Sequence, residues 1–450
     1  LSHARQGLRE ALSAHVASFS SFVVSSTRDA TATFEGYMRG LFQSERANML
    51  RMSEVNEVDH QSMQHMLTEG CVDWQGFGRQ LAQEANDLLG GTDAVLIFDE
   101  SGFAKKGEAS AGVARQWNGR LGKVDNCQVG VFATLCRGDM ATLIDARLYL
   151  PEDWCNDDER CKKAAIPEDK RLFQSKTQLA LAMLKIARQR GIQFGYVGID
   201  GGYGKEPAFL RGVDAQGCRF VADVHCDQTI YLQDPEPLVP EWSGRGRQPL
   251  HRKPQSAAQR VDQWAAAQPP DAWQRLTLRE GEKGLLVADY LHAHVWVWDG
   301  EEEQARCWHL LVRREVGADS ISHYCLSNAP LDTPWQELAR VQAQRFFIEH
   351  GFREAKSECG MADYQVRRWD AWHNHMALVM LGTLFLVKQK KAGRKQWPML
   401  SFNDLVTALE HLLPRRQLTA EELADIISKR HYLRRKAKES HARRSQVARE

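Results

Sequence analysis

Residues 345–356, RFFIEHGFREAK, set one acid between two bases on what reads as a helix. Arg345, Glu349 and Lys356 stand at relative positions 0, 4 and 11. At ~3.6 residues per turn, all three share a face. Phe346, Phe347, Ile348 and Phe352 supply apolar surface to pin that helix to a core. The stripe has two readings. It is an intrahelical ion-pair ladder, or it is a face where a cation and an anionic polymer meet.

Two further acids bear on the choice. The apolar run VLIFD closes on Asp99, and YVGID closes on Asp200, followed by Gly201, Gly202 and Gly204. Ligands of α/β sheets bind at the carboxyl ends of strands, and glycines let another group approach the backbone closely. Alone, either aspartate is a strand-end cap or a turn former. With Glu349 they make a set of hard oxygen donors suited to Mg²⁺ or Mn²⁺. Such a set can hold two ions ~4 Å apart, clamping the attacking and leaving oxygens at a phosphate. Arg345 and Lys356 would then neutralise the flanking phosphates. Other chemistries account for less of the chain. Ser110 in GEASAG is not in a nucleophile-elbow context. GGYGKE lacks the Ser/Thr and the spacing of a phosphate-binding loop. A carboxylate pair of glycosidase type leaves the basic residues without a role.

The elements that must position these residues appear as changes of texture along the chain. Residues 1–85 have helical spacing and few strand signals. TDAVLIFDESG (92–102) reads as a buried strand. NCQVGVFATLC (126–136) and ATLIDARLYL (141–150) flank a Gly-Asp turn signal and predict a hairpin. SKTQLALAMLKIARQRG (175–191) predicts an amphipathic helix with Gly191 at its C-cap. IQFGYVGIDGGYG (192–204) and CRFVADVH (218–225) predict two more strands. A Pro-rich, loop-like stretch follows, then strands around an Asp-Gly turn within 288–315. Beyond residue 330 the chain turns helical again. This order implies an α/β fold with a mixed sheet and helices on both faces. The expected divisions are a helical region (1–85), the first part of a split α/β domain (86–225), a β-rich insertion (226–330), the second part of that domain (331–395) and a basic helical region (396–450).

Bulk composition narrows the partners. The 450 residues carry a formal net charge of only +1, so global charge does not announce a nucleic-acid partner. The distribution is more telling: residues 429–450 hold nine Lys/Arg against two Glu, and KQKKAGRK (388–395) lies nearby. Such runs are solvated tails or phosphate-binding arms. The ten cysteines show no zinc-finger spacing, which points to free thiols in a reducing cytoplasm. No signal peptide is expected. The apolar run MALVMLGTLFLV (376–387) is shorter than the ~20 residues of a membrane span and reads as a buried helix.

FDESGFAKKG, GIDGGYG and RFFIEHGFREAKSECGMADYQVRRW, in this order and with a β-rich insertion before the third, resemble the DDE transposases of bacterial insertion sequences. They are most similar to the branch whose glutamate helix carries an Arg/Glu/Lys signature. The resemblance spans roughly residues 60–390. It implies that residues 1–85 bind DNA, that 86–225 and 331–395 form a ribonuclease-H-like catalytic domain, and that the chemistry is Mg²⁺-dependent cleavage (Mn²⁺ substituting, two ions in all) and strand transfer. The implied partners are double-stranded transposon-end and target DNA, with a homodimer assembled on DNA, no membrane, and a nucleoid location. Asp99, Asp200 and Glu349 fall on the catalytic, metal-holding acids; Arg345 and Lys356 fall on the signature's bases. One position departs: the signature's Tyr, seven residues before the Glu, is Gln342 here. Further DNA-contact candidates are Lys105, Lys106, Arg115, Arg367 and Trp298, with Gln116, Asn126 and Gln128 as groove-lining residues. Trp242 and Trp296, like Trp298, either stack on an unpaired base or pack a small β core.

The basic tail generates a prediction. Deleting residues 429–450 should weaken DNA binding and flatten its salt dependence, each lost phosphate contact removing ~0.9 from the slope. An unchanged slope in binding titrations would mark the tail as a solvated appendage.

Overall fold

A computed structural model of the chain describes residues 2–69, 72–119, 121–242, 244–281, 284–344 and 353–447. Five helices open it: α1 (Ser2–Ala17), α2 (Thr31–Gln43), α3 (Met49–Val55), α4 (His60–Thr68) and α5 (Trp74–Leu89). Their starts follow capping chemistry. Asn48 caps α3 by accepting from the Arg51 amide, Asp59 accepts from two amides of α4, and Asp73 accepts from the Gly76 amide at 2.8 Å.

Four strands follow: β1 (Val95–Ala104), β2 (Ala114–Asn118), β3 (Lys123–Arg137) and β4 (Met140–Leu148). The β3–β4 hairpin is the one expected, and its turn needs Gly138, whose φ is +61°. β2, with no clear strand signal in sequence, pairs with the first part of β3. Two short helices, α6 (Glu152–Cys155) and α7 (Asp158–Lys163), lead to α8 (Lys176–Gln189). Ser175 and Gln178 form a capping box at the start of α8, and Gly191, at φ +72°, follows its end. Then come β5 (Tyr196–Ile199), α9 (Gly201–Gly204), α10 (Pro207–Ala215) and β6 (Phe220–Val224).

The central strands are apolar on both sides. Val95–Phe98, residues 127–136, and all of β5 and β6 are buried consecutively. That pattern belongs to strands covered on both faces. β1 pairs antiparallel with β3 and parallel with β5, and β5 pairs parallel with β6. The expected mixed sheet of ribonuclease-H-like type is therefore present.

Between residues 226 and 330 lie β7 (Thr229–Ile230), β8 (Gln259–Arg260), α11 (Val261–Ala266), β9 (Gln274–Gly281), β10 (Gly284–Val297), β11 (Arg306–Glu315) and β12 (Ile321–Ser327). The insertion is β-rich, as expected, but its long strands do not form a separate sheet. β12 pairs antiparallel with β6, and the order continues β12-β11-β10-β9, so one ten-stranded sheet spans both parts. The edge of β6 is thereby covered rather than left open for pairing with another chain.

After β12 come α12 (Trp335–Gln344), a helical stretch at 353–358, then α13 (Trp369–Gly393), α14 (Phe402–Leu412) and α15 (Ala420–Val447). Residues 375–387 of α13 are all buried, in agreement with the buried-helix reading. Among the described residues no helix is long and apolar enough to cross a membrane. The opening helices pack around α13. The His15 ring lies 3.3 Å from the Leu381 carbonyl, the Tyr37 hydroxyl bonds the His375 Nδ1 at 2.7 Å, and Asn374 donates to the Leu67 carbonyl at 2.7 Å. Residues from α1 to α14 belong to one hydrophobic cluster.

The buried imidazoles make the fold acid-sensitive. Burial lowers His375 from 6.5 to about 3, and burial with the nearby Lys388 charge lowers His15 to about 4. Both stay neutral in the fold but protonate in the unfolded chain. Their contribution is complete above pH 6.5 and is lost as pH falls towards those lowered values. At one pH unit below 6.5 each should have given up ~1.4 kcal/mol. Thermal unfolding measured between pH 7.5 and 5.5 should show a steady fall in melting temperature; a flat profile would mean that these rings reach water.

Candidate metal centre and DNA face

The parallel registers decide where the acids stand. The β1–β5 ladder ends with Ile97 beside Gly198, and its spacing carried two steps on sets Asp99, within β1, level with Asp200, just past β5. Ile199 pairs with Ala222, so one step further Asp200 faces Asp223. Register partners in a parallel ladder project from the same side of the sheet. Carried on at that spacing, the registers set in a row Asp99 of β1, Asp200 just past β5 and Asp223 of β6. Asp99 and Asp200 are half-buried and within reach of solvent, whereas Asp223 is buried.

Local chemistry holds each one. Asp99 Oδ1 accepts from the Glu100 amide at 2.7 Å. Asp200 is the N-cap of α9 and accepts from the Tyr203 amide at 2.9 Å. Glycine is needed where α9 lies on β6: a Cβ on Gly204 would sit 2.0 Å from the Asp223 carbonyl oxygen. What approaches this glycine run at Gly204 is the chain's own strand. The Tyr203 hydroxyl is buried without a hydrogen-bond partner among the described residues, and burial followed by the charges of Glu100, Asp99, Asp200 and Glu206 pushes its pKa well up.

The residues present fit a divalent cation. The sequence placed Asp99 at a strand end, but β1 runs on to Ala104 and holds it mid-strand, where pairing with β3 continues; Asp200 stands just past β5 and has no basic partner among the described residues. Hard oxygen donors of this kind suit Mg²⁺ or Mn²⁺. Glu349 and Arg345 lie outside the described residues. Lys356 is in the helical stretch, with its Nζ 5.7 Å from the centre of the Phe103 ring. Asp99, Ser101 and Phe103 alternate onto one face of β1. Lys356 therefore lies over the side of β1 that carries Asp99.

The other candidates divide by environment. Lys106, Arg115 and Arg367 are exposed. Lys105 turns inward: its Nζ lies 3.5 Å from the Tyr364 ring centre and 3.3 Å from the Tyr364 carbonyl, and burial lowers its pKa to about 8. Gln116, Asn126 and Gln128 bond the chain's own backbone, at Cys127, Lys105 and Ala111 respectively. Trp298 is buried with Tyr231, Ala305 and Trp296 and gives its indole N–H to the Glu302 carbonyl at 2.9 Å. It also helps wall a cleft of about 740 Å³ that begins at Lys205, one residue past α9, and includes His225 and Tyr231. Trp242 is exposed. On α15, residues 431–440 are exposed throughout, while Arg430 is paired with Glu54 of α3.

Sequence reasoning did not single out Asp223. It accepts from the Cys325 thiol at 2.7 Å, lies 3.3 Å from His323 Nδ1, and meets Gln342 Nε2 at 3.4 Å. Gln342, at the position of the signature's Tyr, is buried and also meets Arg313 at 3.4 Å. One signal was available: an acid inside the otherwise apolar strand FVADV.

The family model described as DDE superfamily endonuclease matches residues 20–285, which include Asp99 and Asp200 and end before Glu349. The chain is 21% identical over 328 residues to a protein of Microchaete diplosiphon named "Probable transposase for insertion sequence element IS701"; the match covers 72% of this chain and 73% of that one.

The α9–β6 contact can be tested with paired variants. Gly204→Ala should destabilise the fold by roughly 1–3 kcal/mol, because its Cβ meets rigid backbone. Gly201→Ala, whose Cβ would find its nearest neighbour at 3.7 Å, should melt close to wild type. Equal melting temperatures for the two would show that α9 is not seated on β6.

Proposed function

Because this chain belongs to the DDE superfamily endonucleases, we propose that it is an insertion-sequence transposase, which cleaves DNA at the ends of a mobile element and joins the freed ends to target DNA. The observation that carries this reading is the β1–β5 register, whose spacing beyond Ile97 and Gly198 sets Asp99 level with Asp200, with Lys356 over the same side of β1. The IS701 protein, named a probable transposase, supports it.

Asp99 and Asp200, completed by Glu349, would hold the divalent ions. Mg²⁺ bound there supplies positive charge to the attacking and leaving oxygens of the scissile phosphate. The protein's own groups do the remainder. The Asp200 cap on α9 and the β1–β5 ladder fix the two carboxylates before DNA arrives, so little reorganisation accompanies the reaction. The Lys356 ammonium, with Arg345, neutralises phosphates that flank the cut. Water then attacks the phosphodiester in line and frees a 3′-hydroxyl. In a second step that hydroxyl attacks a target phosphodiester beside the same acids; the new P–O bond forms as the bond to the target's 3′-oxygen breaks, and the target strand leaves with a 3′-hydroxyl.

Lys106, Arg115, Arg367 and the exposed length of α15 offer charges to the DNA backbone, where contacts position without specifying sequence. Two ends must be cut and joined together, so the working form is a dimer assembled on DNA.

The test uses the full chain with paired end fragments, target DNA and Mg²⁺, resolving nicks, double-strand breaks and joined products. Wild type should give joined products. Asp99→Asn, Asp200→Asn and Glu349→Gln should each bind ends nearly normally and leave DNA uncut, since an amide keeps shape and loses charge. Cleavage without joining would reduce the activity to that of a nuclease. Undiminished cleavage in excess chelator would overturn the metal chemistry.

A further inference from the structure

The insertion carries a cluster that the proposed reaction does not use. β10 and β11 are antiparallel, and His294 stands directly opposite His309. His292 lies two residues before His294, so the pleat brings it to the same face. Ring centres are 5.1 Å apart for His292 and His294, 5.2 Å for His292 and His309, and 4.8 Å for His294 and His309. One ring nitrogen from each can be chosen so that all three lie within 4.8 Å of one another.

Hydrogen bonds fix which nitrogen of His309 is available. Its Nε2 lies 2.9 Å from the Pro330 carbonyl oxygen, which can only accept, so Nε2 carries the hydrogen. Nδ1 of the neutral ring is then bare, and it faces His292 Nε2 at 2.9 Å. Metal-ligating histidines commonly give their second N–H to a carbonyl in this way, which sets the tautomer and aims the lone pair. His309 is fully buried, His292 half-buried and His294 exposed, so the cluster is rigid at its base and open to solvent at its rim.

We infer that His292, His294 and His309 form a binding site for one transition-metal ion of the Zn²⁺ class, separate from the carboxylate centre. Imidazole nitrogens select such ions over Mg²⁺. Tetrahedral Zn–N bonds of about 2.0–2.1 Å place neighbouring nitrogens roughly 3.3 Å apart, so His292 and His309 need to part by only a few tenths of an ångström. His292 changes tautomer on binding, moving its hydrogen from Nε2 to Nδ1 through solvent, with no net proton released. Three protein ligands leave a fourth position for water. Through Pro330 the ion would stiffen the link between the insertion's sheet and the run that enters α12 at Trp335.

Full-length protein made without a polyhistidine tag and stripped on chelating resin provides the test. Titration with Co²⁺ should give the intense visible absorption of a four-coordinate nitrogen site, saturating at one ion per chain and bleached by Zn²⁺. Zn²⁺ should also raise the melting temperature. His294→Ala, at an exposed position where folding is not at stake, should lose both the absorption and the Zn²⁺-induced rise. Asp99→Asn should keep both. No stoichiometric absorption in wild type, an unchanged spectrum in His294→Ala, or loss of the spectrum in Asp99→Asn would each overturn the site.

Discussion

Parallel pairing of β1, β5 and β6 is the constraint on which the rest of the structure depends. These strands are too apolar to face water on either side, so helices must cover both faces and loops must carry the polar residues. The register of that ladder, ending with Ile97 beside Gly198, directs Asp99 and Asp200 towards one another, although 101 positions separate them in the chain. A slip of one residue would turn one carboxylate to the opposite side of the sheet. The close seating of α9 on β6 guards against it. With the Asp223 carbonyl where a side chain of residue 204 would otherwise lie, α9 has one position available, and Asp200 caps it there.

The same sheet sets the limits of the chain's divisions. β12 takes the free edge of β6, so the insertion extends the sheet instead of standing apart. Asp223 lies at that seam, holding Cys325 and His323 from β12 and Gln342 from α12. A buried carboxylate is costly unless its oxygens are occupied, and here groups from both sides of the seam occupy them. Gln342 therefore links the insertion's Arg313 to the acid row, a connection that a tyrosine at that position would make differently. The opening helices are bound comparably, because α13 buries 375–387 completely and the polar atoms of His15, Tyr37 and Asn374 find partners across that junction.

Much of this architecture was legible in the residues. A short apolar run that closes on an acid and a glycine is a buried strand for reasons local to the run, and β1 and β5 follow it. Gly138 and Gly191 mark backbone that other residues adopt at a cost, and they locate the hairpin turn and the end of α8. Ser175 and Gln178 satisfy amides within four residues of themselves. The run 376–387 was readable as a buried helix because nothing in it could bear water.

Tertiary structure decided whatever depended on a distant partner. Asn126, Gln128 and Lys105 look like surface groups in sequence. They turn inward because the 107–113 loop and Tyr364 lie against them. Trp298 is half of such a case, packed among Tyr231 and Trp296 yet walling a cleft. His292, His294 and His309 carry no motif, since only the β10–β11 register makes neighbours of them. The sequence by itself determined the buried central strands, the β3–β4 turn, α8 and the buried helix α13, because those choices rest on hydrophobic period, capping and backbone freedom within a few residues; β2, β9 and β12 and the length of β1 beyond Asp99 came from their pairing partners. Which acid stands beside which, and which polar groups face inward, was settled by strand register and helix seating, whose energies come from contacts between residues far apart in the chain.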